Sequence, residues 1–102
     1  MTYGIALAVL ADPTRRQVFE RLRAGPQAVK TLAADLPVSR PAVSQHLKAL
    51  KEAGLVEERS AGTCRIYSLR LEGLRQLRVW LDGFWGEALD AFEAEAEKGS
   101  RS

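Results

Sequence analysis

Apolar residues recur with a helical period over most of this chain, and proline, glycine and one hairpin-like stretch break it into elements. Ile5, Leu7, Val9 and Leu10 form a first short apolar segment over Tyr3–Leu10, which stops at Asp12-Pro13. Asp12 can cap the free amides of a second helix there, and Pro13 sits in its first turn, where no amide hydrogen is needed. That helix is predicted to run to about Arg23, with Val18, Phe19 and Leu22 on one side, and to end at Gly25-Pro26. Val29, Leu32, Ala33 and Leu36 fall at i, i+3, i+4 and i+7 and predict a third helix over Val29–Leu36. Ala28 stands at its N-cap without a side-chain acceptor, so this helix depends on packing.

A three-residue break, Pro37-Val38-Ser39, follows. Ser39 can cap a fourth helix that tolerates Pro41 in its first turn, buries Val43, Leu47 and Leu50, and runs to about Ala53 with Gly54 as C′ glycine. Leu55–Arg59 and Arg65–Leu71 predict two strands around the turn Ser60-Ala61-Gly62-Thr63. From about Glu72 to Lys98 the helical period returns, with Leu74, Leu77, Leu81, Phe84, Ala88 and Phe92 on one seam widened by Trp80, Trp85 and Leu89.

Composition narrows the class. The 102 residues fit one domain with a modest core, and 46% hydrophobic against 27% charged residues is the balance of a folded chain. No apolar run of the length needed to span a membrane occurs and no export signal is visible, so the expectation is a cytoplasmic protein with no membrane partner. Cys64, the one cysteine, can form no internal disulfide. Net charge is only +2, yet residues 13–71 carry eleven Lys and Arg against five Asp and Glu, while residues 72–102 carry four against seven. A basic centre ahead of an acidic tail suits a polyanion at the centre; ordinary solvated faces are the alternative.

Two helices joined by a short turn match a helix-turn-helix, a pairing also common in proteins that never touch DNA. The surface of the second helix sharpens the reading. With Val43, Leu47 and Leu50 inward, Arg40, Pro41, Ser44, Gln45 and Lys48 face outward near the helix N-terminus, preceded by Ser39. Gln suits adenine, Arg suits guanine, and Ser or Lys serves bases or phosphates, at the end that enters the major groove in such complexes. Arg59, Thr63 and Arg65 on the hairpin would form a wing against the phosphate backbone or minor groove.

These stretches resemble the ArsR family of bacterial winged-helix repressors. Ser39–Val56, SRPAVSQHLKALKEAGLV, is similar to the family's recognition helix; Leu10–Gly25, LADPTRRQVFERLRAG, resembles its second helix and approach; and the hairpin ending in Tyr67-Ser68-Leu69 follows in the same order. The resemblance spans about residues 4–95 and implies a homodimer, joined through the first and last helices, on a palindromic operator. The expected fold is thus mainly α with a small β-hairpin. It is a single winged helix-turn-helix domain over 1–98, with the helix-turn-helix at 29–53, the wing at 55–71, a dimerisation helix at 72–98 and a flexible tail at 99–102. Leu7, Leu74, Leu77, Leu81, Phe84, Trp85, Ala88 and Phe92 are the expected dimer contacts. Many members of the family sense metals through a Cys-x-Cys pair on the third helix; Leu32 and Ala34 stand in those places here. No histidine follows His46 to complete the other known set on the last helix, so no metal and no cofactor is expected.

Several residues admit plainer readings. His46 is expected as a partly buried side chain near the third helix, ahead of a DNA contact. Cys64 is expected as a passive wing residue rather than a redox switch. The aromatic residues of the last helix favour a dimer seam over a ligand pocket, which leaves room for an organic effector that the sequence does not identify. Ser44, His46 and Asp35 do not make a triad, since residues two apart on a helix do not face each other, and no enzyme is expected. The expected function is sequence-specific duplex DNA binding as a repressor. An activator is the alternative within that class, and a dimeric interaction module with a vestigial helix-turn-helix the alternative outside it.

Overall fold

The computed structural model describes residues 2–100, and the side chains of residues 4–98. Helices α1 (Thr2–Leu10) and α2 (Pro13–Arg21) lead through a 3-10 turn (Leu22–Ala24) to β1 (Gln27–Ala28). Then come α3 (Val29–Ala34), α4 (Arg40–Glu52), the hairpin β2 (Val56–Ala61) and β3 (Cys64–Leu69), and α5 (Leu71–Ser100). The strands form one antiparallel sheet in the order β1-β3-β2.

The helix ends follow local chemistry. Asp12 caps α2 by accepting the Arg15 amide at 2.9 Å, and Ser39 caps α4 by accepting the Ala42 amide at 3.3 Å. Ala28 gives α3 no side-chain cap. At the far end of α4, Leu55 N–H bonds the Leu50 carbonyl and Gly54 N–H that of Lys51, each at 3.0 Å, with Gly54 at φ 79°. This is the Schellman closure, which a glycine adopts without steric cost.

The core lies where α2 and α3 meet α4 and the sheet. Val18, Leu22, Leu32, Val43, Leu47, Leu50, Leu55 and Val56 are fully buried. Such side chains contribute about 1.5–3 kcal/mol each in area terms. The inward face of α4 is thus the one its helical period predicts.

Several boundaries differ from expectation. The second helix ends as α-helix at Arg21 and tightens into the 3-10 turn, closed by Gly25 N–H on the Leu22 carbonyl at 3.0 Å. The third stops at Ala34, two residues early. Leu36, expected inside it, precedes Pro37 and is pushed out of helical conformation, though it stays buried. The break before α4 is therefore Asp35–Ser39 rather than three residues. Strand β1 was not foreseen, because two residues carry no alternation; Gln27 pairs with Tyr67 and Ala28 with Ile66.

The hairpin turn is also tighter than expected. Ala61 pairs with Cys64, so the loop is Gly62-Thr63, and Ser60 and Ala61 belong to β2. Gly62 at φ 64° followed by a residue of negative φ is the type II′ arrangement that matches strand twist. Leu71, expected in the second strand, begins α5, which extends through Ser100 rather than ending at Lys98. Gly99 and Ser100 of the expected tail are therefore helical, and Arg101 and Ser102 lie outside the described residues.

Helix α5 is held to the body at its N-terminal end. A Cβ on Gly73 would stand 1.9 Å from the Gly54 carbonyl oxygen, so only glycine lets α5 lie on the α4–β2 turn. Nothing in the sequence distinguished this glycine. Beyond that anchor the helix projects from the body, and the molecule measures 67 × 27 × 22 Å.

Candidate nucleic-acid interface

Helix α4 presents one buried and one exposed face. Ser39, Arg40, Pro41, Ser44, Gln45 and Lys48 are all exposed, opposite Val43, Leu47 and Leu50, which are sealed from solvent. Pro41, Ser44, Gln45 and Lys48 follow the i, i+3, i+4, i+7 spacing and make one row along the helix. Pro41, Ala42, Gln45 and His46 line a shallow open hollow beside that row. Ala42 was not among the residues singled out from the sequence. No ion pair engages Arg40 or Lys48 among the described residues, so both charges face solvent.

The wing divides its residues between two faces. The pairing Val56↔Leu69, Glu58↔Tyr67 and Ser60↔Arg65 puts these six on one side of the sheet, and Val56 and Tyr67 identify it as the buried side. The pairing Glu57↔Ser68, Arg59↔Ile66 and Ala61↔Cys64 puts the others on the opposite side. Arg59 and Arg65, which flank the loop in sequence, therefore sit on opposite faces. Arg59 is exposed and makes no ion pair among the described residues. Thr63 is exposed at the tip.

Arg65, by contrast, is engaged. Its Nη1 donates to Glu58 Oε2 at 3.1 Å, while Lys51 Nζ, from the last turn of α4, donates to Glu58 Oε1. The Glu58 side chain is 17% exposed, against 69% for Arg65 and 50% for Lys51. Lys51 first, then the Tyr67 hydroxyl and Arg65, hold the Glu58 carboxyl down at about 2. Burial first, then the neighbouring carboxylate, raises the Tyr67 phenol. Sequence reasoning missed this clasp. The facing of the strand residues was the available signal, and it needs a register between the two strands to be read.

Helix α5 carries a second exposed feature. Leu81, Phe84, Trp85, Leu89 and Phe92 are 42–72% exposed, and Ala88 lies exposed among them. Leu7 of α1 is 42% exposed. Leu74 and Leu77 are half-buried within the chain, where Leu77 faces Ala6 and Leu55 across a hollow of about 20 Å³. Trp80 stacks on Phe84 with ring centroids 5.7 Å apart.

His46 is half-buried, with Nδ1 sealed from solvent and unpaired. The Asp12 carboxyl lies below its ordinary range, chiefly through the Arg15 amide bond and in smaller part through His46. Cys64 is an exposed free thiol beside the wing tip. Among the described residues no three His, Cys, Asp or Glu side chains gather as a metal site, and no helix is long and apolar enough to cross a membrane.

Known proteins share this architecture. A helix-turn-helix domain family matches residues 10–59. The chain is 60% identical over 87 residues to the HTH-type transcriptional regulator Rv2034 of Mycobacterium tuberculosis, covering 85% of this chain and 81% of that protein. It is 31% identical over 75 residues to the transcriptional repressor SdpR of Bacillus subtilis, covering 74% and 83%. The solved structure of an ArsR-like transcriptional regulator from Rhodococcus sp. RHA1 matches with TM-score 0.77 at 31% identity, over 91% of this chain and 88% of that one. A homodimeric winged helix-turn-helix DNA-binding domain from Mycobacterium bovis, described as a possible ArsR-family regulator, matches with TM-score 0.68 at 29% identity, over 84% and 80%. The fold, the exposed polar row on α4 and these relatives agree: the chain belongs to the ArsR family of winged helix-turn-helix, DNA-binding transcriptional regulators, which are not enzymes.

Proposed function

We propose that this chain is a cytoplasmic repressor that acts as a homodimer on an inverted-repeat operator and blocks transcription by occupying it. The observation that carries the reading is the two-faced α4, fully buried on one side and lined on the other by Arg40, Pro41, Ser44, Gln45 and Lys48. Gln45 and Arg40 are the base readers, with Ser39, Ser44 and Lys48 beside them. Arg59 and Thr63 hold the backbone from the wing, and Arg65 joins them once released from Glu58. The α5 stripe supplies the two-fold axis together with Leu7, Leu74 and Leu77, and the homodimeric Mycobacterium bovis relative supports that role. Residues 29–53, 55–71 and 72–98 are then the reading, wing and dimerisation segments of one domain. Leu32 and Ala34, standing where metal-sensing relatives use thiolates, support regulation without metal, by protein concentration or an organic effector.

Selection from a random duplex pool tests this reading. The expected product is an inverted repeat with half-sites about one helical turn apart, or a multiple of that. It should stay bound when zinc, cadmium or arsenite is added at micromolar levels. A pool that shows no enrichment would point instead to an interaction module with a vestigial helix-turn-helix, and release by one of the metals would restore metal sensing.

A further inference from the structure

Glu58 is an anion placed inside a basic surface. It stands on the inner face of β2, diagonal to Arg65 on β3 and within hydrogen-bond reach of Lys51 on α4. One carboxylate thus holds a cation from the helix next to the DNA and a cation from the wing, each on a separate oxygen. Its neighbour Glu57 is exposed on the opposite face of the same strand. Charge-assisted bonds of this kind match those a phosphate would make with the same two side chains.

We propose that Glu58 is a specificity-determining positioning residue, whose carboxylate occupies Arg65 in place of a DNA phosphate and thereby withholds the wing from non-specific backbone contact. The inference rests on the duplex-binding reading above. Lys51 fixes the carboxylate relative to α4, so the wing arginine is parked at a set distance from the reading helix. Non-specific binding is almost wholly a phosphate term, and each phosphate contact adds about 0.9 to the slope of log affinity against log salt. A cation held by an internal carboxylate adds nothing to that slope until a phosphate displaces the carboxylate. Docking of α4 on its matched sequence would bring that phosphate into place; a random duplex would not.

The test compares Glu58→Gln with the wild type on a selected operator and on random duplex, over a range of salt concentrations. Glu57→Gln serves as the control, because it removes the same charge from the other face and leaves the clasp intact. The expected result for Glu58→Gln is several-fold tighter random-duplex binding, a salt slope steeper by about 1 per protomer and so about 2 for the dimer, and a smaller ratio of operator to random affinity. Adding Arg65→Gln to Glu58→Gln should return the slope to the wild-type value or below. The inference is overturned by an unchanged slope, by the same change in Glu57→Gln, by a double variant that keeps the steeper slope, or by a parallel loss of both affinities, which a purely structural clasp would give. Wild-type protein that binds no duplex would remove the DNA-binding reading itself, a separate outcome visible before any variant is made.

Discussion

Helices α4 and α5 are both amphipathic, but only one is complete within the chain. In α4 the apolar positions Val43, Leu47 and Leu50 reach full burial against α2, α3 and the sheet. In α5 the corresponding stripe stays open, with Phe84 at 55%, Trp85 at 60% and Phe92 at 72% exposure. The first pattern is a helix presented by its own core, free to offer its polar face to another molecule. The second is a helix whose apolar stripe finds no cover within the chain, which is what the proposed two-fold partner would supply. Periodicity alone makes the two look alike; the difference comes from what the rest of the fold covers.

Substitutions on the two stripes should separate these roles. Phe84→Glu places a charge on the α5 face and should shift the protein to monomer in sedimentation equilibrium. Its operator affinity should then fall toward the random-duplex level, a gap of typically about 4–10 kcal/mol for specific binders. Phe84 touches no DNA in this account. Leu47→Ala should instead lower chain stability by about 2–5 kcal/mol in urea unfolding, through the cavity it leaves in the core. A Leu47→Ala loss as dependent on protein concentration as that of Phe84→Glu would erase the distinction between the helices.

The sequence made α4 legible because its signals agree: the Ser39 cap, the 3.6 period and Gly54 each mark the same element. The wing was harder. Gly62 and Thr63 form a loop two residues long, and without a strand register drawn across it neither the facing of Arg65 nor its clasp with Glu58 is assigned. Strand β1 is two residues paired to β3, a tertiary event with no local pattern. Gly73 is conspicuous only once Gly54 lies against it. The polar row on α4 was therefore visible from residue types and spacing, whereas the contact that occupies Arg65 depended on strand register.

The Glu58 clasp gives a smaller effect that ties α4 to the wing. Its carboxyl is depressed from 4.5 to about 2 in the folded chain, with Lys51 the leading cause. Its stabilisation is therefore fully present above about pH 4.5 and is lost as pH falls toward 2. The urea midpoints of wild type and Glu58→Gln should differ by a constant amount above that range and converge below it. A gap that persists unchanged at pH 2 would assign the difference to packing instead of charge.

In the proposed complex α4 reads sequence while the wing holds the backbone. Titrating Gln45→Ala and Arg59→Ala against the selected operator and single-base mismatches tests it most directly. Gln45→Ala should lose about 1–3 kcal/mol of discrimination at one base pair and leave the salt slope unchanged. Arg59→Ala should weaken binding to all duplexes alike and lower the slope by about 1 per protomer, about 2 for the dimer. Identical behaviour of the two variants on matched and mismatched duplexes would contradict the account.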